Sequence, residues 1–397
     1  MMNFANGDKI FSCMELYVGG AYGIIYTIAM NGDNTVKGAA QSMSYAESLQ
    51  VRCSRKAFLA GAVAFAAAPA FAKRRPEEIR SVLLHWGLNM WGASLPPDIK
   101  GPLVHGRLCN DKVIFSDKAW NLLVDDMVAK KMNMVIIDLG EFPAYPSHPE
   151  LALPGSRSPD WIRGEVRRLK SLGLEPIPKL NFSTGHDSWL GEYSRMISTR
   201  MYYQVCRDVI KDAAEMFDHP RFLHIGYDEE NFGGQQAFKC VRVDELLWHV
   251  FLYFVKKVEE NGMRPWMWSD YGWDHADFVE KCPKSVLQSN WNYSDLDGYD
   301  LSKFKPGSNR LKVFKLFLDL EKAGFDQVPC GSNWKSDRYK KEGPAVNNSI
   351  AGLVKFCRDN ISAGHLKGFM MAPWADCTDV SNKTNLEGID LLAKALA

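Results

Sequence analysis

The stretch that decides the fold is LEPIPKLNF (174–182), then TRMYYQVCRDVIKDAAEMF (199–217), then FLHIGY (222–227). The first and third pieces are short apolar runs of strand length. The middle piece repeats apolar residues at helical spacing over five turns. A strand, a helix and a second strand in that order make a crossover unit, which favours a parallel sheet.

The same alternation runs through the chain on both sides. Upstream, strand one is Val82–Trp91 and its helix Ser116–Lys131, with Ser116 as N-cap. Strand two is Met134–Leu139 and its helix Pro159–Leu172, capped by Ser158. Downstream, strand four (Phe222–Tyr227) leads to a helix at Arg242–Asn261. Strand five (Pro265–Ser269) leads to one at His275–Lys281, and strand six (Val286–Asn290) to one at Asn309–Ala323. Strand seven (Gln327–Cys330) precedes a helix at Val346–Ala363; strand eight (Gly368–Ala372) precedes one at Glu387–Ala395. Eight strand–helix units joined by right-handed crossovers give the fold class, an α/β protein with a closed (β/α)8 TIM barrel. An open doubly wound sheet would carry a glycine-rich phosphate turn after an early strand, and Gly87 and Gly92 do not form one.

Residues 1–72 read as an address. A basic segment (Arg52, Arg55, Lys56) precedes an alanine-rich apolar stretch ending Ala-Phe-Ala at Ala72, which is signal-peptide architecture. The order Ser54-Arg-Lys-Ala-Phe-Leu59 resembles a twin-arginine signal with lysine as the second basic residue. The domain reading is therefore 1–42 as a non-native or disordered extension, with Met43 the true start. Residues 43–72 are the signal peptide and 73–397 the barrel. The apolar patch Tyr17–Met30 is a weaker membrane-segment candidate because of its glycines. The expected location is periplasmic or extracellular in a bacterium, with membrane contact only through the signal.

Composition narrows the partner class. A formal net charge of +1 over 397 residues, with no long run of one sign, excludes nucleic acid as the main partner. The chain carries 12 tryptophans, which suit a carbohydrate site because sugar rings stack their C–H faces on indoles. The nine cysteines show no CxxC or zinc spacing, so they read as buried structural residues with no disulfide assigned. No cofactor motif and no metal-ligand set is present; His85 stands alone on strand one, where a metal-dependent barrel hydrolase would carry clustered ligands.

In a TIM barrel the active site lies at the C-terminal ends of the strands. Those ends carry Asp138 and Glu141, Lys179 and Asn181, then Gly185-His186-Asp187. They continue with His224-Ile-Gly-Tyr-Asp-Glu-Glu230, Trp266-Met-Trp-Ser-Asp270, Asn290-Trp-Asn-Tyr293 and Pro373-Trp-Ala-Asp376. Each has a bland reading alone: Asp270 as a helix cap, Trp291 as a core plug. Together they put carboxylates, amides and tryptophans on one rim. Asp228 and Glu229 are the sharpest pair. Strand alternation turns Asp228 to the side of His224 and Gly226, and Glu229 falls just beyond the strand. Adjacent acids in a walled site raise the pKa of one, as a general acid requires. A helix-terminus acidic cluster is the alternative, but no helix is expected before Arg242.

These motifs resemble glycoside hydrolase family 20, the β-N-acetylhexosaminidases, whose strand four reads His-x-Gly-Gly-Asp-Glu. Here it is His224-Ile-Gly226-Tyr227-Asp228-Glu229. The family's strand-three Pro-Glu-x-Asp-x-Pro-Gly-His is similar to Pro178-Lys-Leu-Asn-Phe-Ser-Thr-Gly-His186, one residue longer, with lysine for glutamate and asparagine for aspartate. Trp268-Ser-Asp270, Trp291 and Trp374 match the later tryptophans, and Asp376 stands where the family has glutamate. Strand one lacks the family's sugar-gripping arginine.

The resemblance implies substrate-assisted retaining catalysis on terminal 2-acetamido sugars, outside the usual carboxylate-separation rule. Asp228 would orient the acetamide and Glu229 would protonate the leaving oxygen. His186, Asn181, Tyr227, Trp268, Asp270, Trp291, Trp374 and Asp376 would bind substrate. Two other carbohydrate readings stand beside it. One is a non-catalytic glycan-binding barrel. The other is a retaining glycosidase with a strand-seven nucleophile, against which Gln327–Trp334 holds no carboxylate.

Overall fold

The computed structural model describes residues 25–30, 36–42 and 45–51 as strands, and residues 78–91, 109–230, 242–293, 301–334 and 349–397 in detail. It divides into two units, Met1–Arg75 and Pro76–Ala397. In the first, Ile25–Met30, Val36–Ser42 and Tyr45–Val51 form an antiparallel sheet in chain order. The signal read at 54–72 lies outside the described residues. Among the described residues no helix is long and apolar enough to cross a membrane.

The second unit is a (β/α)8 barrel. Its strands are β1 (Ile79–His85), β2 (Met134–Asp138), β3 (Glu175–Lys179), β4 (Phe222–His224), β5 (Arg264–Trp268), β6 (Leu287–Ser289), β7 (Cys330–Gly331) and β8 (Gly368–Met371). All pair in parallel, in the order β7-β8-β1-β2-β3-β4-β5-β6. Backbone bonds from Val328 N–H to Gln288 O (2.8 Å) and from Cys330 N–H to Asn290 O (3.0 Å) join β6 to β7 and close the ring. The helices are α1 (Asp117–Ala129), α2 (Pro159–Ser171), α3 (Arg200–Met216), α4 (Asp244–Glu260), α5 (Phe278–Lys281), α6 (Asn309–Lys322), α7 (Ser349–Asn360) and α8 (Asn382–Leu396). Ser116 and Ser158 cap α1 and α2 as read, accepting from Ala119 N–H at 3.2 Å and Trp161 N–H at 3.3 Å.

Strand alternation builds two cores. Leu83, Ile136, Ile177, Leu287 and Met370 fill the barrel; Val82, Leu84, Val135 and Ile137 face the helices. Each such buried side chain stabilises the fold by about 1.5–3 kcal/mol. β1 stops at His85, short of the expected Trp91. Trp86 N–H and Gly87 N–H both turn to Asp138 O, at 2.9 and 3.1 Å. A side chain at Gly87 would meet Leu139 O at 2.4 Å, so glycine is required at that crossing. Among the described cysteines, Cys206, Cys282, Cys330, Cys357 and Cys377 are buried free thiols.

At the top of the barrel interior the apolar filling gives way to a polar layer. His85, Asp138, Lys179 and His224 stand in register on β1 to β4, each no more than 1% exposed. Lys179 Nζ forms a close ion pair with Asp138 Oδ2 and lies 3.7 Å from Met90 Sδ. Burial, with Lys179 nearby, pushes His85 and His224 well below the usual histidine range, so both rings are neutral.

Candidate active site

The site is built on the turn that follows β4. Gly226 is left-handed (φ +68), and a Cβ there would fall 2.1 Å from Asn181 Oδ1, so only glycine fits. Tyr227 (φ 72) and Glu229 (φ 55) are also left-handed, which costs about 1–3 kcal/mol each for a residue with a side chain. Two sets of contacts offset that cost. The Tyr227 ring is 1% exposed, packed against Phe251 and Phe254 with the Arg242 guanidinium 5.0 Å from its centre, and its hydroxyl donates to Leu247 O at 3.3 Å. The Glu229 N–H donates to Asp270 Oδ2 at 2.9 Å. The substrate contact expected of Tyr227 is not what its ring makes here: like Ile225 it lies on the helix side of the barrel wall, opposite His224 and Asp228, and is buried there.

Asp228 and Glu229 converge on one histidine. His186 Nε2 lies 3.4 Å from Asp228 Oδ2 and 3.1 Å from Glu229 Oε2. Asn181 Nδ2 donates to Asp228 Oδ1 at 2.8 Å, and the Ser183 hydroxyl donates to the Asp228 carbonyl. Burial works to lower the His186 pKa, but the carboxylates of Asp228 and Glu229 overcome it and raise it to about 9. His186 is thus a cation at neutral pH. The Glu229 side chain is 42% exposed and the Asp228 side chain 12%, so Glu229 is the one that reaches into solvent.

Asp270 opposes them from the end of β5. Burial first, then the charge of Asp228, pushes its carboxyl up to about 7. The raised carboxyl read from the sequence was one of the adjacent pair Asp228–Glu229; Asp270 lies outside that pair. Trp291 Nε1 lies 3.4 Å from its Oδ1. The Trp291 ring stacks on Tyr293 (4.7 Å, 26°) and meets the edge of Trp273 (4.4 Å, 62°). The Tyr293 oxygen accepts from Trp374 Nε1 at 2.9 Å, and Trp374 tilts against Trp268 and His85 at 5.8 and 5.6 Å. An unbroken chain of contacts links Glu229 to Trp374.

The other expected binding residues divide by burial. Trp291, Trp374 and Asp376 are partly exposed at the mouth; the Asp376 backbone forms a parallel bridge with that of His85, and its side chain accepts from Thr378 Oγ1 at 3.0 Å. Asn181 and Trp268 are 0% and 1% exposed. They support the site from below, Asn181 by holding Asp228 and Trp268 by packing on His224 at 4.7 Å, and do not themselves form its surface. Tyr293 and Trp273 had no assigned role. The signal for Tyr293 was its spacing two residues from Trp291. Two rim acids are absorbed by structure: Glu141 accepts from Leu88 N–H and Asn89 N–H at 2.9 and 3.0 Å, and Glu230 pairs with buried Arg242 and accepts from Thr184 N–H at 2.7 Å. Among the described residues no group of three His, Cys, Asp or Glu is placed to hold a metal ion.

No family model and no curated protein matches the chain. Solved structures do. A family 20 exo-β-N-acetylglucosaminidase from Vibrio harveyi is 13% identical with a TM-score of 0.46; the match covers 79% of this chain and 54% of that one, so this chain spans about half its length. A structure of the pneumococcal virulence factor StrH is 13% identical with a TM-score of 0.51, covering 81% of this chain and 84% of that one. A family 5 xyloglucanase from Paenibacillus pabuli is 11% identical with a TM-score of 0.46, covering 80% and 98%. At these identities the likeness shows the barrel fold alone.

Proposed function

We propose that this chain is an exported glycoside hydrolase that removes terminal 2-acetamido sugars from glycans, with the substrate acetamide as nucleophile. The observation that carries this reading is the meeting of Asp228 and Glu229 on His186 beside the Trp291–Tyr293–Trp374 wall. In this mechanism the acetamide oxygen attacks the anomeric carbon and Asp228 holds and polarises the acetamide N–H. Asn181 and His186 fix the rotamer of Asp228, so its orientation precedes binding. Glu229, the more exposed acid, protonates the leaving oxygen, and water then opens the cyclic intermediate with retention. His186, cationic at neutral pH, lies 3.4 Å from Asp228 Oδ2 and steadies the charge of that carboxylate. Trp291 and Trp374 supply the stacking faces. Export through the 43–72 segment to the periplasm or medium of a bacterium completes the proposal.

The test is a panel of chromogenic aryl glycosides with the purified protein. Cleavage restricted to 2-acetamido substrates is expected. Glu229→Gln should lower turnover by roughly 10²–10⁴-fold with folding intact, and Asp228→Asn should cost turnover more than binding. Equal glycan binding by wild type and Glu229→Gln, with no hydrolysis by either, would establish the non-catalytic glycan-binding reading instead.

A further inference from the structure

Asp270 carries more than its expected place as a sugar contact. It is only 8% exposed, so it offers substrate little surface. Its two oxygens face two different parts of the site. Oδ2 accepts the backbone N–H of Glu229 at 2.9 Å, and Oδ1 faces the indole N–H of Trp291 at 3.4 Å. Glu229 is held left-handed at φ 55, a conformation that needs an outside restraint in a residue with a side chain. Trp291 is partly exposed and braced on its other sides by Tyr293 and Trp273.

We propose that Asp270 is a positioning residue that couples the sugar-stacking wall to the acid, transmitting the placement of Trp291 through one carboxylate to the backbone of Glu229. The proposal rests on the glycosidase reading above for its consequence, though not for its geometry. An ionised carboxylate can accept both N–H groups; a protonated one turns one oxygen into a donor and releases an arm. The charged groups facing Asp270 are Asp228 and Glu229 from the β4 turn, with His186 beyond them; Trp291 faces it from β6, and Tyr271 and Trp273 follow it on its own turn. Its carboxyl, pushed up to about 7, makes the coupling pH-sensitive close to neutrality. The coupled state belongs to the alkaline side.

The experiment uses the full chain and the variants Asp270→Ala, Asp270→Asn, Trp291→Phe and the Asp270→Ala/Trp291→Phe double. Asp270→Ala should lower kcat by about tenfold or more with KM changed little, and Asp270→Asn, which keeps an oxygen for Glu229 N–H, should recover part of that loss. Trp291→Phe should lower kcat in the wild type yet cost no further kcat in Asp270→Ala. A rise in KM at constant kcat in Asp270→Ala marks a direct sugar contact and overturns the proposal, as do fully multiplicative single effects. An activity-free arm follows tryptophan fluorescence from pH 6 to 8. A transition is expected in wild type and absent in both Asp270→Asn and Trp291→Phe; its persistence in Asp270→Asn overturns the proposal. If the wild type cleaves no glycoside, the glycosidase reading falls, and the fluorescence arm still decides the coupling.

Discussion

Across the mouth of the barrel, the side supplied by β2, β3 and β4 is organised by charge, and the side supplied by β5, β6 and β8 by ring contact. On the first side, Asp138, Lys179, Asn181, His186 and Asp228 are mostly buried, and named partners hold each one. On the second, Trp273 and Trp291, Trp291 and Tyr293, and Trp268 and Trp374 touch with ring centres 4.4–5.8 Å apart, and one N–H bond joins Trp374 to Tyr293. The difference teaches where change is tolerated. A buried charge that loses its partner faces the full desolvation penalty, whereas a ring that loses a neighbour forfeits only part of its dispersion contact. The charged side should therefore be brittle and the aromatic side forgiving.

The sharpest break lies at Lys179. Lys179→Met leaves Asp138 buried without its cation and should destabilise the barrel by about 3–5 kcal/mol in denaturant unfolding. Adding Asp138→Asn should restore most of that loss. A single variant as stable as wild type would contradict the charge-held account.

Gly226→Ala comes next. It forces a Cβ into Asn181 at a left-handed position, so about 2–3 kcal/mol of stability and most turnover should go together. The same substitution at Gly164, which has open space around it, should leave activity intact.

pH separates the two sides more gently. His186 is raised from 6.5 to about 9 in the folded protein, so its stabilising contribution is complete below pH 6.5 and is lost as pH rises through 9. Asp270, raised from 3.8 to about 7, has the same sign: the stability linked to its proton is complete below 3.8 and is lost on passing 7. The urea midpoint should fall from pH 5 to 9.5 by an amount equivalent to roughly 1–3 kcal/mol. His186→Gln should flatten the upper part of that fall and Asp270→Asn the lower part.

The smallest effect belongs to the aromatic side. Trp374→Phe removes one N–H bond to Tyr293 and part of one stacking face. It should cost about 0.5–1.5 kcal/mol of stability and raise KM severalfold, with kcat nearly unchanged. A loss as large as that of Lys179→Met would erase the contrast between the two sides.

Particular residues show how far the sequence could be read. Ser116 and Ser158 announced their helices because a cap is a bond made within four residues. The pair Asp228–Glu229 was legible as the end of a barrel strand. Tyr227 was named as a substrate contact for its place beside Asp228, although period-two alternation already turns it away from His224 and Asp228, toward the helix-side core where it packs. Asn181 and Trp268 were found in the right region with the wrong exposure. Glu141 and Glu230 looked available at the rim, yet backbone N–H groups and Arg242 had taken their oxygens.

Local periodicity and capping fixed the barrel and the edge that carries the acids, since both are properties of contiguous residues. Facing, burial and protonation were decided by the tertiary structure. His186 is a cation because Asp228 and Glu229, more than 40 residues along the chain, are folded against it. The Lys179–Asp138 pair spans 41 residues, and Asp270 holds a backbone amide 41 residues away. Electrostatic fields depend on distance through space, which a linear sequence leaves unstated until the chain closes on itself.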